Sequence, residues 1–105
     1  MTLRQKQSIF ARCIAQLIIE IYARGYEVTL GEAYRRKGVG WKHSLHRKRL
    51  AKDLNLFLNG RYLTSTKAHE QFGIWWKALH KENEWGGDFH PADGNHYSRR
   101  HNGIA

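Results

Sequence analysis

Cysteine, proline and acidic side chains are all scarce in this sequence, and each shortage excludes something. The single Cys13 cannot close an internal disulfide, and it rules out a multi-cysteine zinc finger. One proline among 105 residues argues against a long disordered linker. No apolar run approaches the length needed to cross a bilayer. The first residues lack the layout of a secretion signal, because Arg12 and Glu20 interrupt the apolar stretch and no small-residue cleavage site follows. A protein held in the cytoplasm is expected, released by something else if its target lies outside. The length suits one domain spanning residues 1–105, expected to be monomeric.

Nine acids against eighteen Lys and Arg leave a formal charge of +9. Such a surface is drawn to nucleic acid, anionic lipid headgroups or acidic cell-wall polymers. The basic residues are scattered over every segment and no nucleic-acid motif is present, so binding to nucleic acid is not expected.

Apolar periodicity divides the chain. Phe10, Ile14, Leu17, Ile18 and Ile21 recur at helical spacing, which predicts a helix over Arg4 to Arg24, with Gly25 ending it and Cys13 buried. Alternation from Tyr26 to Tyr34 predicts a strand with Tyr26, Val28 and Leu30 on one face, then a basic loop through Gly38 and Gly40. Asn59-Gly60 suits a two-residue turn inside a hairpin from Leu54 to Leu63. Ser65 or Thr66 can cap a second helix that runs to about Lys81 and carries an apolar stripe of Ala68, Phe72, Trp75, Trp76 and Leu79. From Glu84 onward there is little periodicity. These elements predict an α+β fold, with helices packed on a small antiparallel sheet.

Seven histidines raise the question of a metal. His43, His69, His80 and His101 have no acidic or histidine partner at a persuasive spacing and are expected at the surface; His90 is expected in a loop. His46 and Asp53 bracket a segment leading into the apolar strand, and His96 follows Asp93 by three residues. Two imidazoles and a carboxylate would give zinc three ligands and leave the fourth position for water, whose pKa zinc lowers to about 7. A carboxylate outside the ligand set could then carry the proton to the leaving amine.

Three ordered segments add a resemblance. SLHRKRLAKD, Ser44 to Asp53, resembles the S-x-H-x-x-G-x-A-x-D signature of the zinc D-alanyl-D-alanine peptidase family, which includes VanY-type carboxypeptidases and phage L-alanyl-D-glutamate endopeptidases. EWGGDFHPADGNHY, Glu84 to Tyr97, resembles the W-G-G-D-[WF] … D-x-x-H ending of the phage endolysin branch. GEAYRR, from Gly31, resembles the strand-end G-x-R element and places Arg35 near the site. Together they reach over about two-thirds of the chain.

The resemblance implies a hedgehog/D-Ala-D-Ala peptidase-like fold with zinc held by His46, Asp53 and His96. It makes Asp93 the general acid/base, with Glu84 as its rival. Arg35 would bind a substrate carboxylate or stabilise the oxyanion, and Ser44 would orient a neighbour. Trp85 and Phe89 have two readings, as a substrate wall or as local packing. Asp88 is expected to hold its loop, and Gly86 and Gly87 to permit a tight turn. Two departures stand out: Arg49 occupies the signature glycine position, and Asp93 stands where many members of the family have Glu.

The implied activity is hydrolysis of peptidoglycan stem peptides, at the L-alanyl-D-glutamate bond, by a phage or prophage endolysin made in the host bacterial cytoplasm and acting in the periplasm after release. D-alanyl-D-alanine carboxypeptidase is the nearest alternative. A nucleic-acid-binding protein or a metal-dependent nuclease is the alternative of another class.

Overall fold

A computed structural model of the chain describes residues 1–31 and 45–105. Helix α1 (Leu3–Ala23) begins at a capping box in which the Thr2 hydroxyl accepts the Gln5 N–H, while the Gln5 side chain accepts the Thr2 N–H. It buries Phe10, Cys13, Leu17 and Ile21, so the expected apolar stripe and buried thiol are both present. Strand β1 (Glu27–Leu30) follows through Gly25, which has a φ of 87°. A single 3-10 turn (Leu45–Lys48) precedes β2 (Ala51–Leu58) and β3 (Arg61–Leu63). Asn59 and Gly60 both take positive φ between these two strands, as a two-residue hairpin turn requires. Ser65 caps α2 (Thr66–Leu79) by accepting the Ala68 N–H at 3.1 Å.

Two strands lie where the sequence shows little periodicity: β4 (Asn83–Trp85) and β5 (His96–Arg99), joined through a second 3-10 turn (Gly86–Asp88). All pairings in the five-stranded sheet are antiparallel. The order is β1-β2-β5-β4, with β3 also on β2. The fold is therefore α+β, an open antiparallel sheet with two helices packed against it.

Strand alternation gives the sheet two different faces. Leu54, Leu56, Tyr97 and Trp85 point to the helices and are buried there with Phe72 and Trp76. Phe10 and Tyr97 both meet the Trp76 ring edge to face, at 5.8 and 6.0 Å. The Trp76 indole N–H spans the carbonyls of Glu84 and Ser98, tying the helix to both β4 and β5. Val28 shares the helix-facing side, but Leu30 is 64% exposed, so the apolar face expected of β1 is only partly used. The opposite face carries Asp53 and His96.

Candidate metal centre

Asp53 and His96 are direct partners across β2 and β5, which puts both side chains on the face away from the helices. His46 joins them from the 3-10 turn. That turn is closed onto β2 by Leu45, whose carbonyl accepts the Leu50 N–H at 2.9 Å. Arg49 makes the junction with a φ of 55°, a conformation that favours glycine. An arginine thus takes this conformation at the position where the S-x-H-x-x-G-x-A-x-D pattern has glycine.

The three side chains meet. Asp53 Oδ1 is 3.2 Å from His46 Nε2 and 3.6 Å from His96 Nδ1. The two imidazole rings lie 5.2 Å apart. One ligand atom from each residue falls within 4.8 Å of the others, so the group could hold a metal ion. Among the described residues, Asp53 Oδ1 and His96 Nε2 are buried with no hydrogen-bond partner. Buried polar atoms are seldom left in that state, and a cation held beside Asp53 Oδ1 would satisfy that oxygen. Burial pushes the Asp53 carboxyl up, but the approaching imidazoles of His46 and His96 outweigh it and hold it at about 2. The side chain is therefore an anion at neutral pH, the form in which a carboxylate ligates.

A cleft of about 770 Å³ opens beside these residues, lined by His46, His96, Asp93, Phe89, Pro91 and Ile104 among others. Phe89 stacks obliquely on His96, with ring centroids 5.3 Å apart, so it both packs this candidate ligand and faces the cleft. Asp93 is exposed on the lip. Its backbone is fixed by two hydrogen bonds, from its own N–H to Gly86 O at 2.8 Å and from the His96 N–H to its carbonyl at 3.1 Å. Glu84 is not among the residues lining that cleft, and its carboxylate is engaged in an ion pair with Arg100.

Gly86 and Gly87 lie in a tight 3-10 turn, as expected, and close contact is what demands glycine there. A Cβ on Gly86 would stand 2.1 Å from Asp93 O and 2.7 Å from His96 Cβ, and one on Gly87 would enter the Trp85 ring. Neither residue has the positive φ that a glycine-only turn implies. Trp85 is 4% exposed, lies on Gly73 of α2, and donates its indole N–H to Gly94 O at 2.8 Å. This corrects the substrate-wall reading: Trp85 packs beneath the 93–96 turn. Among the described residues, Asp88 holds its loop through a 2.6 Å ion pair to Lys77 and not through the backbone. His69, expected at the surface, is 2% exposed and shares a 2.8 Å hydrogen bond with the Tyr97 hydroxyl. Burial lowers the His69 pKa to about 4 and raises that of Tyr97.

Arg35, Ser44 and His43, with the basic loop of Gly38 and Gly40, lie outside the described residues. Gly31, the first residue of GEAYRR, is described. Its N–H donates to Asp53 O at 2.8 Å, and a Cβ there would come within 3.0 Å of Asp53 Cβ. Pro91 and Ile104, which line the cleft, had no periodic pattern to reveal them. No known family model matches this chain, and no curated protein matches it.

Proposed function

We propose that the chain is a zinc-dependent peptidase acting on peptidoglycan stem peptides. The observation that carries the reading is the convergence of His46, Asp53 and His96 at the edge of a cleft that also presents Asp93. Zinc bonds to nitrogen and oxygen of about 2.0–2.2 Å give tetrahedral donor separations of about 3.3–3.6 Å. The Asp53 contacts of 3.2 and 3.6 Å lie close to that range. A softer ion would want thiolates, and calcium or magnesium would want more oxygen donors.

Bound zinc would supply Lewis acidity towards a water and a peptide carbonyl. The other roles fall to the protein. Asp93, exposed on the lip, accepts the proton of the attacking water and returns it to the departing amine. Phe89, Pro91 and Ile104 offer an apolar wall against which a short aliphatic peptide can lie. The +9 charge draws the protein to an acidic polymer. Arg35 is assigned to a substrate carboxylate or the oxyanion by the resemblance alone, and Ser44 to orienting a neighbour.

The reading includes cleavage of the L-alanyl-D-glutamate bond and the role of a phage or prophage endolysin, made in the host cytoplasm and released to the wall. Mass spectrometry of muropeptides released from purified sacculi tests it. New amino-terminal D-glutamate is expected, and its appearance should stop when a chelator is added. Loss of terminal D-alanine instead would reassign the protein as a carboxypeptidase. Intact sacculi, with nicking of a plasmid in the presence of zinc or magnesium, would replace the peptidase with a nuclease.

A further inference from the structure

Arg99, the last residue of β5, is 5% exposed on the sheet face opposite the metal group. A guanidinium carries five N–H donors and no acceptor, and burying one without an anion is costly. Among the described residues, the carboxylates that pair with Lys or Arg are Glu20, Glu70, Asp88, Glu82 and Glu84, and their partners are Arg24, Lys67, Lys77 and Arg100. None pairs with Arg99. Among the described residues its Nε has no hydrogen-bond partner, and Nη2 reaches only the Met1 sulfur at 3.7 Å. Nη1 stands 3.5 Å from His80 Nε2.

The last contact is a mismatch. His80 Nδ1 already accepts the Glu82 N–H at 3.0 Å, so the ring proton of its neutral form sits on Nε2. Two donors therefore face each other, and an acceptor between them would satisfy both. Further positive charge gathers at His101, two residues beyond Arg99 in the chain. Lys6 Nζ lies 3.1 Å from His101 Nδ1. After burial, the charges of Lys6, Lys48 and Arg99 are what depress the His101 pKa. Lys6, Lys48 and Arg99 come from α1, the first 3-10 turn and β5, and no carboxylate forms an ion pair with any of them among the described residues. Met1, which covers Nη2, is 74% exposed and can move aside.

The geometry points to an oxyanion-binding site at Arg99 and His80, flanked by Lys6 and His101, which takes a phosphate or a carboxylate group independently of the metal. Planar, bidentate recognition of either group is what an arginine does best.

The test is an NMR titration of the full chain, reading the Arg99 Nε–H, the His80 ring and Lys6. Inorganic phosphate and sodium acetate are added separately, with sodium chloride at matched ionic strength as the control. Saturable shifts with phosphate alone identify a phosphoryl group as the ligand, and with acetate alone a carboxylate. Saturation with both supports a general oxyanion site. Shifts no larger than those in chloride overturn the proposal. Lys6→Ala should weaken the affinity a few-fold, as the loss of a flanking positive charge implies, while Lys67→Ala leaves it unchanged. Arg99→Met should abolish it. Because that variant can disturb the core, His80→Ala decides: unchanged binding in it places the anion elsewhere and refutes the site.

Discussion

Asp53 and His96 face each other across two antiparallel strands with Oδ1 and Nδ1 3.6 Å apart, and His46 closes on the same oxygen at 3.2 Å. Two of the three candidate ligands are thus fixed by sheet register, and the third by a turn hydrogen-bonded to the start of β2. A one-residue slip between β2 and β5 would move one of the pair to the opposite face. The site is as rigid as the sheet that holds it.

Removing any member of the trio should remove the ion. His46→Ala, Asp53→Ala and His96→Ala are each expected to weaken zinc binding by more than about a hundredfold, beyond the cost of losing an outer-shell partner. Calorimetric titration of each purified variant measures this. A variant that keeps wild-type affinity does not supply a ligand.

Asp93→Ala should keep its zinc and lose turnover by about 10²–10⁴-fold, the usual contribution of a general acid/base. Glu84→Ala should keep most of its activity, because Glu84 pairs with Arg100. Rates on purified sacculi, read beside zinc content, distinguish the two. The opposite outcome would make Glu84 the base.

Gly86→Ala should damage both stability and the site. The added methyl would collide with Asp93 O and His96 Cβ, so the 93–96 turn must move. Overpacking of this kind costs about 1–3 kcal/mol. Urea unfolding gives the stability term, and zinc titration should show weaker binding. Unchanged values in both would mean that the turn yields freely.

His69 makes the metal-free protein sensitive to mild acid. Its folded pKa of about 4 lies below the ordinary 6.5, so the unfolded chain binds the extra proton first. Stability should fall as pH drops from about 6.5 to about 4, by on the order of 3 kcal/mol. Asp53 has the other familiar shift, with its carboxyl held at about 2 in the fold. Its contribution is present above about pH 4 and disappears as pH falls towards 2. Urea midpoints across pH, in chelator, test both. His69→Gln should flatten the upper slope alone.

Arg49→Gly tests the turn before β2. An L side chain at a φ of 55° costs about 1–2 kcal/mol, while glycine loses about 0.5–1 kcal/mol more entropy on folding. On backbone conformation alone, the exchange should be neutral to stabilising by about 1 kcal/mol. Arg49→Val, with a branched Cβ, should destabilise. Thermal unfolding of the pair decides, and a large loss in Arg49→Gly would show that the arginine side chain itself holds the turn.

Much of the scaffold was legible because periodicity records burial on one side only. α1, α2 and the Asn59-Gly60 hairpin bury one face, and their spacing says so. β5 was not legible, because His96, Tyr97, Ser98 and Arg99 are all buried and leave no alternation to read. β4 has three residues, too few for a period. In the site, spacing alone gave His46, Asp53 and His96 only a weak claim, and the ordered motifs singled them out. Gly86 and Gly87 invited an explanation from backbone freedom, whereas close packing against Asp93, His96 and Trp85 is what excludes a side chain. His69 looked like a surface histidine because its partner, Tyr97, is 28 residues away in sequence.

Anomalous diffraction at the zinc edge, from crystals of the zinc-loaded protein, tests the central claim most directly. One peak is predicted between His46, Asp53 and His96, with donor distances of about 2.0–2.2 Å. Full zinc occupancy at any other position, with those three side chains uncoordinated, would contradict it.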